Sequence, residues 1–259
     1  MSNLMYCADD QLMSRDQIMA VPTPNAMGSR HNPVGYGDFL DLIFHRLDNA
    51  GLAVINDEYC TAQENGRFFG TMELGLKSGD GLISSDQMTI TLGVRGAHNQ
   101  SISRGLCIGN RVIVCSNLCF SGDMTNGALS TKQSTNVWDR LPGLVSQAID
   151  TIPALAHREE RRLEAYQEHT FTSPRHGDAV LVELYRQQAL TAAQLGRAVS
   201  EWDHPTYEEH SVNGNTAWKL INAVTESVKP TGTTVNMDHV RERTAKASNF
   251  MDSVVGIDF

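Results

Sequence analysis

This 259-residue sequence contains no apolar run approaching the roughly 20 residues needed to cross a bilayer. It begins MSNLMYCADDQLMSRDQ, with an early acidic pair and no apolar stretch, so no secretory leader is expected. The expectation is a protein of the cytoplasm with no membrane partner. A basic excess is lacking too. There are 21 Lys and Arg against 30 Asp and Glu, a formal charge of −9, whereas a general nucleic-acid-coating protein would carry the opposite sign. A local basic groove stays compatible with that total. Cysteine is scarce and odd in number, five in all, which does not read as a disulfide framework. No nucleotide-binding loop, no two matched pairs of short-spaced cysteines of a zinc site and no G-x-S-x-G elbow occur. No cofactor follows from the residues, and no catalytic residue is assigned.

What is present is an ordinary globular composition, with 41% hydrophobic residues, enough to bury a core. Ser14 and Gln17 have capping-box spacing, so a short helix is expected over 15–20, ended by Val21-Pro22. Residues 22–35 hold three prolines and two glycines and read as an extended surface segment. Phe39, Leu42, Ile43, Leu47 and Ala50 share one helical face, followed by Gly51, which predicts a helix over 37–50. Strands are expected at 52–55, 67–77, 87–95, 106–115 and 118–120. The third alternates cleanly, Met88, Ile90, Leu92 and Val94 against Thr89, Thr91, Gly93 and Arg95. Residues 121–136 are polar and unpatterned and predict a mobile loop. From Val137 the pattern turns helical. Segments are expected over 137–155 (limited or kinked by Pro142 and Pro153), 157–169 as a charged, solvated face, 176–189, a capped helix from Thr191 to about 202, 213–228, and 238–255. Trp138 and Trp218 read as core anchors, and His204, His210 and His239 as surface residues. Strands first and helices after predict an α+β fold, with an antiparallel sheet in the N-terminal half packed against C-terminal helices. The expected layout is an extension over 1–30 and one domain over 31–259, β-rich at 52–120 and α-rich at 137–255.

The chemistry concentrates in Gln87–Asp123. Cys107, Cys115 and Cys119 lie close in sequence but lack the second short-spaced pair of a zinc site, so they read as small residues packed on strands and no metal is expected. His98 has Ser101 and Ser103 nearby, yet a turn rich in Asn, Gln and Ser satisfies its own backbone and does not require catalysis. The electrostatics are more informative. Arg95, Arg104, Arg111 and Lys132 fall in a window whose one acid is Asp123, a local charge of +3 in an acidic chain. Such arginines either grip phosphates in their fixed fork geometry or pair with helix carboxylates such as Glu159, Glu160 and Glu164. The anion- or nucleic-acid-binding candidates are Arg95, His98, Asn99, Ser101, Arg104, Arg111 and Lys132.

The stretch VRGAHNQSISRGLCIGNRVIVCSNLCFSGD resembles the central signature of the phage- and plasmid-borne family called domain of unknown function 932. The positions that carry the resemblance are Arg95, His98, Asn99, Ser101, Gly109, Arg111, Val112, Val114, Cys115, Asn117, Leu118, Phe120, Ser121 and Gly122. HNPVGYGDFLDLI, GRFFGTMELG, DRLPGLVSQAI and NTAWKLINAVTESV extend it over most of 30–228. Asn99 stands where family turns often carry an aspartate. The resemblance implies a mobile-element protein acting in the bacterial host cytoplasm, and it brings no established activity. A helix, a meander of strands and a long helix are also similar to the core of single-strand annealing proteins of the Red-beta and Erf kind, a likeness of fold alone.

The leading expectation is a phage-encoded, non-enzymatic protein associated with single-stranded DNA, in a recombination role and as a homo-oligomer. The alternatives are a host-interaction or anti-defence protein that binds a bacterial factor, and a metal-dependent hydrolase centred on His98 and the cysteines.

Overall fold

The computed structural model describes residues 12–79, 88–112, 118–119, 129–210, 212, 214–229 and 237–258. The fold is α+β, with an antiparallel sheet from the N-terminal half and helices in the C-terminal half. The chain divides into two compact units. Unit 1 takes residues 1–82, 89–109 and 122–155, and unit 2 takes 83–88, 110–121 and 156–259.

Unit 1 opens with β1 (Leu12–Met13) and α1 (Arg15–Met19). The Ser14 hydroxyl accepts the Gln17 amide, and the Gln17 side chain accepts the Ser14 amide, which completes the expected capping box. In α2 (Tyr36–Asn49), Phe39, Leu40, Ile43 and Leu47 are all buried. Gly51, at φ +74°, then turns the chain into β2. Strand β2 (Leu52–Ala62) is far longer than the four residues its apolar run predicts. Asn56, Asp57 and Glu58 break the hydrophobic pattern, but pairing to Glu73, Met72 and Thr71 of the next strand keeps them in the ladder, and β1 pairs further along, at Tyr59 and Cys60. A bulge between Val54 and Asn56 accompanies the outward placement of Ile55, which is 64% exposed.

Strands β3 (Arg67–Leu76), β4 (Met88–Ala97) and β5 (Arg104–Val112) continue the antiparallel order, and β7 (Leu129–Thr131) pairs with Arg104–Leu106 of β5. Strand β7 lies inside the segment expected to be a loop. Its partner ladder, not its own pattern, makes it a strand. The expected strand residues 113–115 and 120, and the loop residues 121–128, fall outside the described residues. Helix α3 (Val137–Asp150) buries Val137, Leu141 and Val145 and contains Pro142. Trp138 is 39% exposed, so it is not a core anchor. Cys60 takes part in a disulfide, a bond that the odd cysteine count did not suggest, while Cys107 is half-buried.

In unit 2 the end of β5 pairs with β6 (Leu118–Cys119), Asn110 opposite Cys119. The expected long helix ends at Asp150, and α4 (Ile152–Glu168) begins with Pro153 in its first turn, where no intrahelical N–H is needed. Helices α5 (Pro174–Arg186), α6 (Ala192–Asp203), α7 (Ala217–Val228) and α8 (Met237–Val255) follow. Nearly every residue of α7 is buried, which makes it the central helix of the unit. Gly177 of α5 lets the helix meet Trp202 of α6. A Cβ there would lie 2.4 Å from Cζ2 of that ring.

The charged helix α4 is not a solvated face. Glu159 and Arg162 are buried. Arg162 donates to Asp252 of α8 through Nε (2.8 Å to Oδ1) and Nη2 (2.6 Å to Oδ2), and through Nη1 to Glu159. Asn110 of β5 donates to the second Glu159 oxygen, and the Tyr166 hydroxyl reaches Asp252 Oδ1 at 2.8 Å. Burial pulls the Arg162 pKa down, and the facing carboxylates more than offset it, so the net shift is upward. A cavity of about 30 Å³ adjoins this network, lined by Asn110, Glu159, Arg162 and Tyr166 among others, room for about one water. His210 is buried as well, which corrects its expected surface placement.

Candidate anion-binding site

The expected functional stretch becomes the turn between β4 and β5, residues 98–103, and three neighbouring segments of unit 1 fix it. The first is the β2–β3 turn, in which Gln63, Glu64 and Asn65 all have φ between +54° and +65°. A run of three left-handed non-glycine residues is costly and persists only when its surroundings hold it. Here they do. The His98 amide donates to Gly66 O at 2.9 Å, and the Asn99 side-chain amide donates to Gln63 Oε1 at 2.8 Å. The second is the start of α2. The Tyr36 hydroxyl donates to Asn65 O at 2.8 Å, and the His98 ring stacks on the Tyr36 ring with centroids 3.7 Å apart. The third is Gln133, whose side chain donates to Ala97 O at 2.6 Å and accepts the Val34 amide at 2.8 Å.

In front of this turn lies a cleft of about 740 Å³. One wall is Met27–His31 of the proline- and glycine-rich segment. The opposite walls are Gln100–Ser103 and Lys132–Ser134. His31 pairs with Ser134 as an isolated bridge, and Asn32 donates its amide to Gln133 O, which joins segments a hundred residues apart. The cations of the cleft are Arg30 and Lys132, both exposed, with the His31 imidazole beside them. His31 Nδ1 accepts the Met27 amide at 3.0 Å, which leaves Nε2 as the protonated nitrogen of the neutral ring. That atom is buried without a partner. The remaining polar lining is hydroxyl and amide, and no carboxylate is among the described residues that line the cleft.

The sequence candidates separate on this geometry. Ser101 and Lys132 line the cleft. Asn99 is exposed and braces Ser101, accepting from its amide at 3.1 Å. The Ser101 hydroxyl accepts from Arg67 Nε at 2.6 Å and donates to Asn99, so it is fully committed and no base activates it. His98 is buried. Burial and then the neighbouring Arg104 charge push its pKa down to about 4, so the ring is neutral at pH 7. Arg95 sits on β4 opposite Phe69, away from the cleft lining. The side chain of Arg111 lies outside the described residues. Arg104 is 0% exposed, so the phosphate contact expected of it is unavailable.

Arg104 instead occupies an aromatic cage. Its guanidinium carbon lies 5.3 Å from the ring centroids of Tyr36 and Phe39 and 6.0 Å from that of Phe68. Nη2 donates to Val34 O. Gly96 leaves the space for it, since a Cβ there would come within 2.7 Å of Arg104 Nη1 and of Phe68. Tertiary contact supplied the residues that sequence reading missed, Arg30, His31 and Gln133. The segment 22–35 reads as a plain linker, and nothing in it signals a wall facing a turn seventy residues on.

Compared with family models, with curated proteins and with solved structures, the chain has no match. The reading of the site therefore stands on its residues. Among the described residues, no three His, Cys, Asp or Glu side chains are grouped to hold a metal ion, and no helix is long and apolar enough to cross a membrane. The arrangement is suited to receiving an anion: two exposed cations beside polar side chains and, among the described lining residues, no acid.

Proposed function

We propose that this is a phage-encoded, non-enzymatic protein that associates with single-stranded DNA, through the cleft between Met27–His31, Gln100–Ser103 and Lys132–Ser134. The observation that carries the reading is the cleft's charge. A chain of formal charge −9 places Arg30 and Lys132 on one concave surface, with no carboxylate among the described residues of its lining. Phosphate oxygens are the ligands such a surface favours, with hydroxyl and amide donors fixing their orientation. The phage setting is carried over from the sequence resemblance of residues 95–122 and is part of the proposal, and the same stretch supplies one wall of the cleft.

Filter binding of an oligothymidylate at two salt concentrations tests it. With two phosphates neutralised, the slope of log affinity on log salt is about −1.4. The variant Arg30→Ala/Lys132→Ala should weaken retention at low salt and flatten that slope. Wild-type protein that retains no oligonucleotide at low salt refutes the reading. The acidic total favours one other reading, a basic host protein as partner, which a stoichiometric band recovered with the purified chain from infected cells would support.

A further inference from the structure

Arg104 is a buried cation without a counter-ion bonded to it. Its Nε and Nη1 are buried with no hydrogen-bond partner, and among the described residues no carboxylate forms an ion pair with it. Asp38 acts on it only through space. Burial lowers its pKa to about 10, which still leaves it charged at neutral pH. Leaving a charge so poorly compensated is costly for folding, and an apolar side chain of similar volume would fill the cage at less cost.

Its position gives the charge a use. Ser103, its neighbour in sequence, lines the cleft. Val34, which accepts from Arg104 Nη2, is held through its amide by Gln133, and Gln133 lines the cleft as well. Arg104 therefore stands one layer behind the inner wall, surrounded by aromatic rings. A charge in such a low-dielectric setting is little screened by salt, and its field emerges into the nearby aqueous cleft.

We infer that Arg104 is a positioning charge for the anion site: it raises the affinity of the cleft for phosphate without touching the ligand. This rests on the cleft being the phosphate site. It predicts a signature that separates Arg104 from the cleft residues. Lys132→Ala should reduce the salt slope, because a phosphate contact and its released counter-ion are lost. Arg104→Met should weaken binding and leave the slope unchanged. For a charge on the order of 10 Å from the phosphate, at an effective dielectric of 20 to 40, the loss is roughly 4- to 16-fold. Arg104→Lys is the charge-retaining comparison and is titrated at pH 6, where a lysine depressed by burial is most readily kept protonated; it should then bind as the wild type does.

The measurement is a titration of each full-length variant with oligothymidylate and, separately, with inorganic tripolyphosphate, at several salt concentrations. Circular dichroism confirms that each variant is folded. Should Arg104→Met not fold, Arg104→Gln read against Arg104→Lys carries the same comparison. Folded Arg104→Met that binds as tightly as wild type overturns the inference, and so does a change in its salt slope, which would mean direct contact. Wild type that binds neither probe refutes the cleft reading itself, which is a different failure.

Discussion

Replacing Arg162 with Met tests the buried network of unit 2. The substitution removes a guanidinium that makes two bonds to Asp252, at 2.8 and 2.6 Å, and one to Glu159. Methionine is close in length and apolar, so little cavity results. The cost is electrostatic. Glu159 is 2% exposed and Asp252 9% exposed, and both carboxylates lose their shared cation. Breaking a buried pair by removing one partner costs about 3–5 kcal/mol. Arg158, 3.8 Å from Glu159, recovers part of this, which favours the lower end. For a chain of this size each kcal/mol moves the midpoint by about 2–4 °C, so Arg162→Met should melt about 6–20 °C below wild type. Urea denaturation followed by far-ultraviolet circular dichroism gives the free-energy difference. Adding Asp252→Leu to Arg162→Met should destabilise by less than the two single changes together, because the pair is coupled. A loss of under about 1 kcal/mol for Arg162→Met would refute the idea that the network bears on stability.

Other outcomes follow from single contacts. The folded pKa of His98, about 4, lies below its unfolded value of 6.5. The unfolded chain therefore binds more protons between pH 6.5 and 4, and His98 contributes stability that is complete above pH 6.5 and lost as pH falls through that window. The full contribution is on the order of 3 kcal/mol. The His98 ring resonances should accordingly not titrate between pH 7.5 and 5.5, and a midpoint near 6.5 would contradict its burial. Gly177→Ala places a methyl group against the Trp202 ring and should destabilise by about 1–3 kcal/mol, despite the better helix propensity of alanine. Thr191→Ala removes the α6 cap, in which Gln194 donates its amide to the Thr191 hydroxyl at 3.2 Å, and should cost about 0.5–2 kcal/mol in a urea melt. Equal melts for wild type and Thr191→Ala would contradict the cap's contribution.

Local chemistry was legible from the residues alone. Ser14 with Gln17 and Thr191 with Gln194 announce caps, because the groups that satisfy each other lie three residues apart. The helical face of Phe39–Leu47 announces which side is buried, because side-chain direction follows from backbone period. The alternation of Met88–Val94 announces a strand but not its burial, since Thr91 and Gly93 on the expected polar face are buried too. These local signals determined the α+β class. They also brought attention to the 98–104 turn, four of whose residues, Gln100, Ser101, Ile102 and Ser103, line the cleft.

What the tertiary structure decided depends on partners distant in sequence. Strand β2 extends through Asn56–Glu58 because β3 pairs with them, and Leu129–Thr131 is a strand because Arg104–Leu106 lies beside it. The same arginine residue type has opposite fates. Arg30, in a segment without pattern, reaches the cleft, while Arg104, the stronger sequence candidate, is enclosed by Tyr36, Phe39 and Phe68. Charge pattern shows that a guanidinium exists. Only the packing of residues 34–39, 68 and 96 around it settles whether that charge meets solvent, because burial is a property of what the rest of the chain brings to the site.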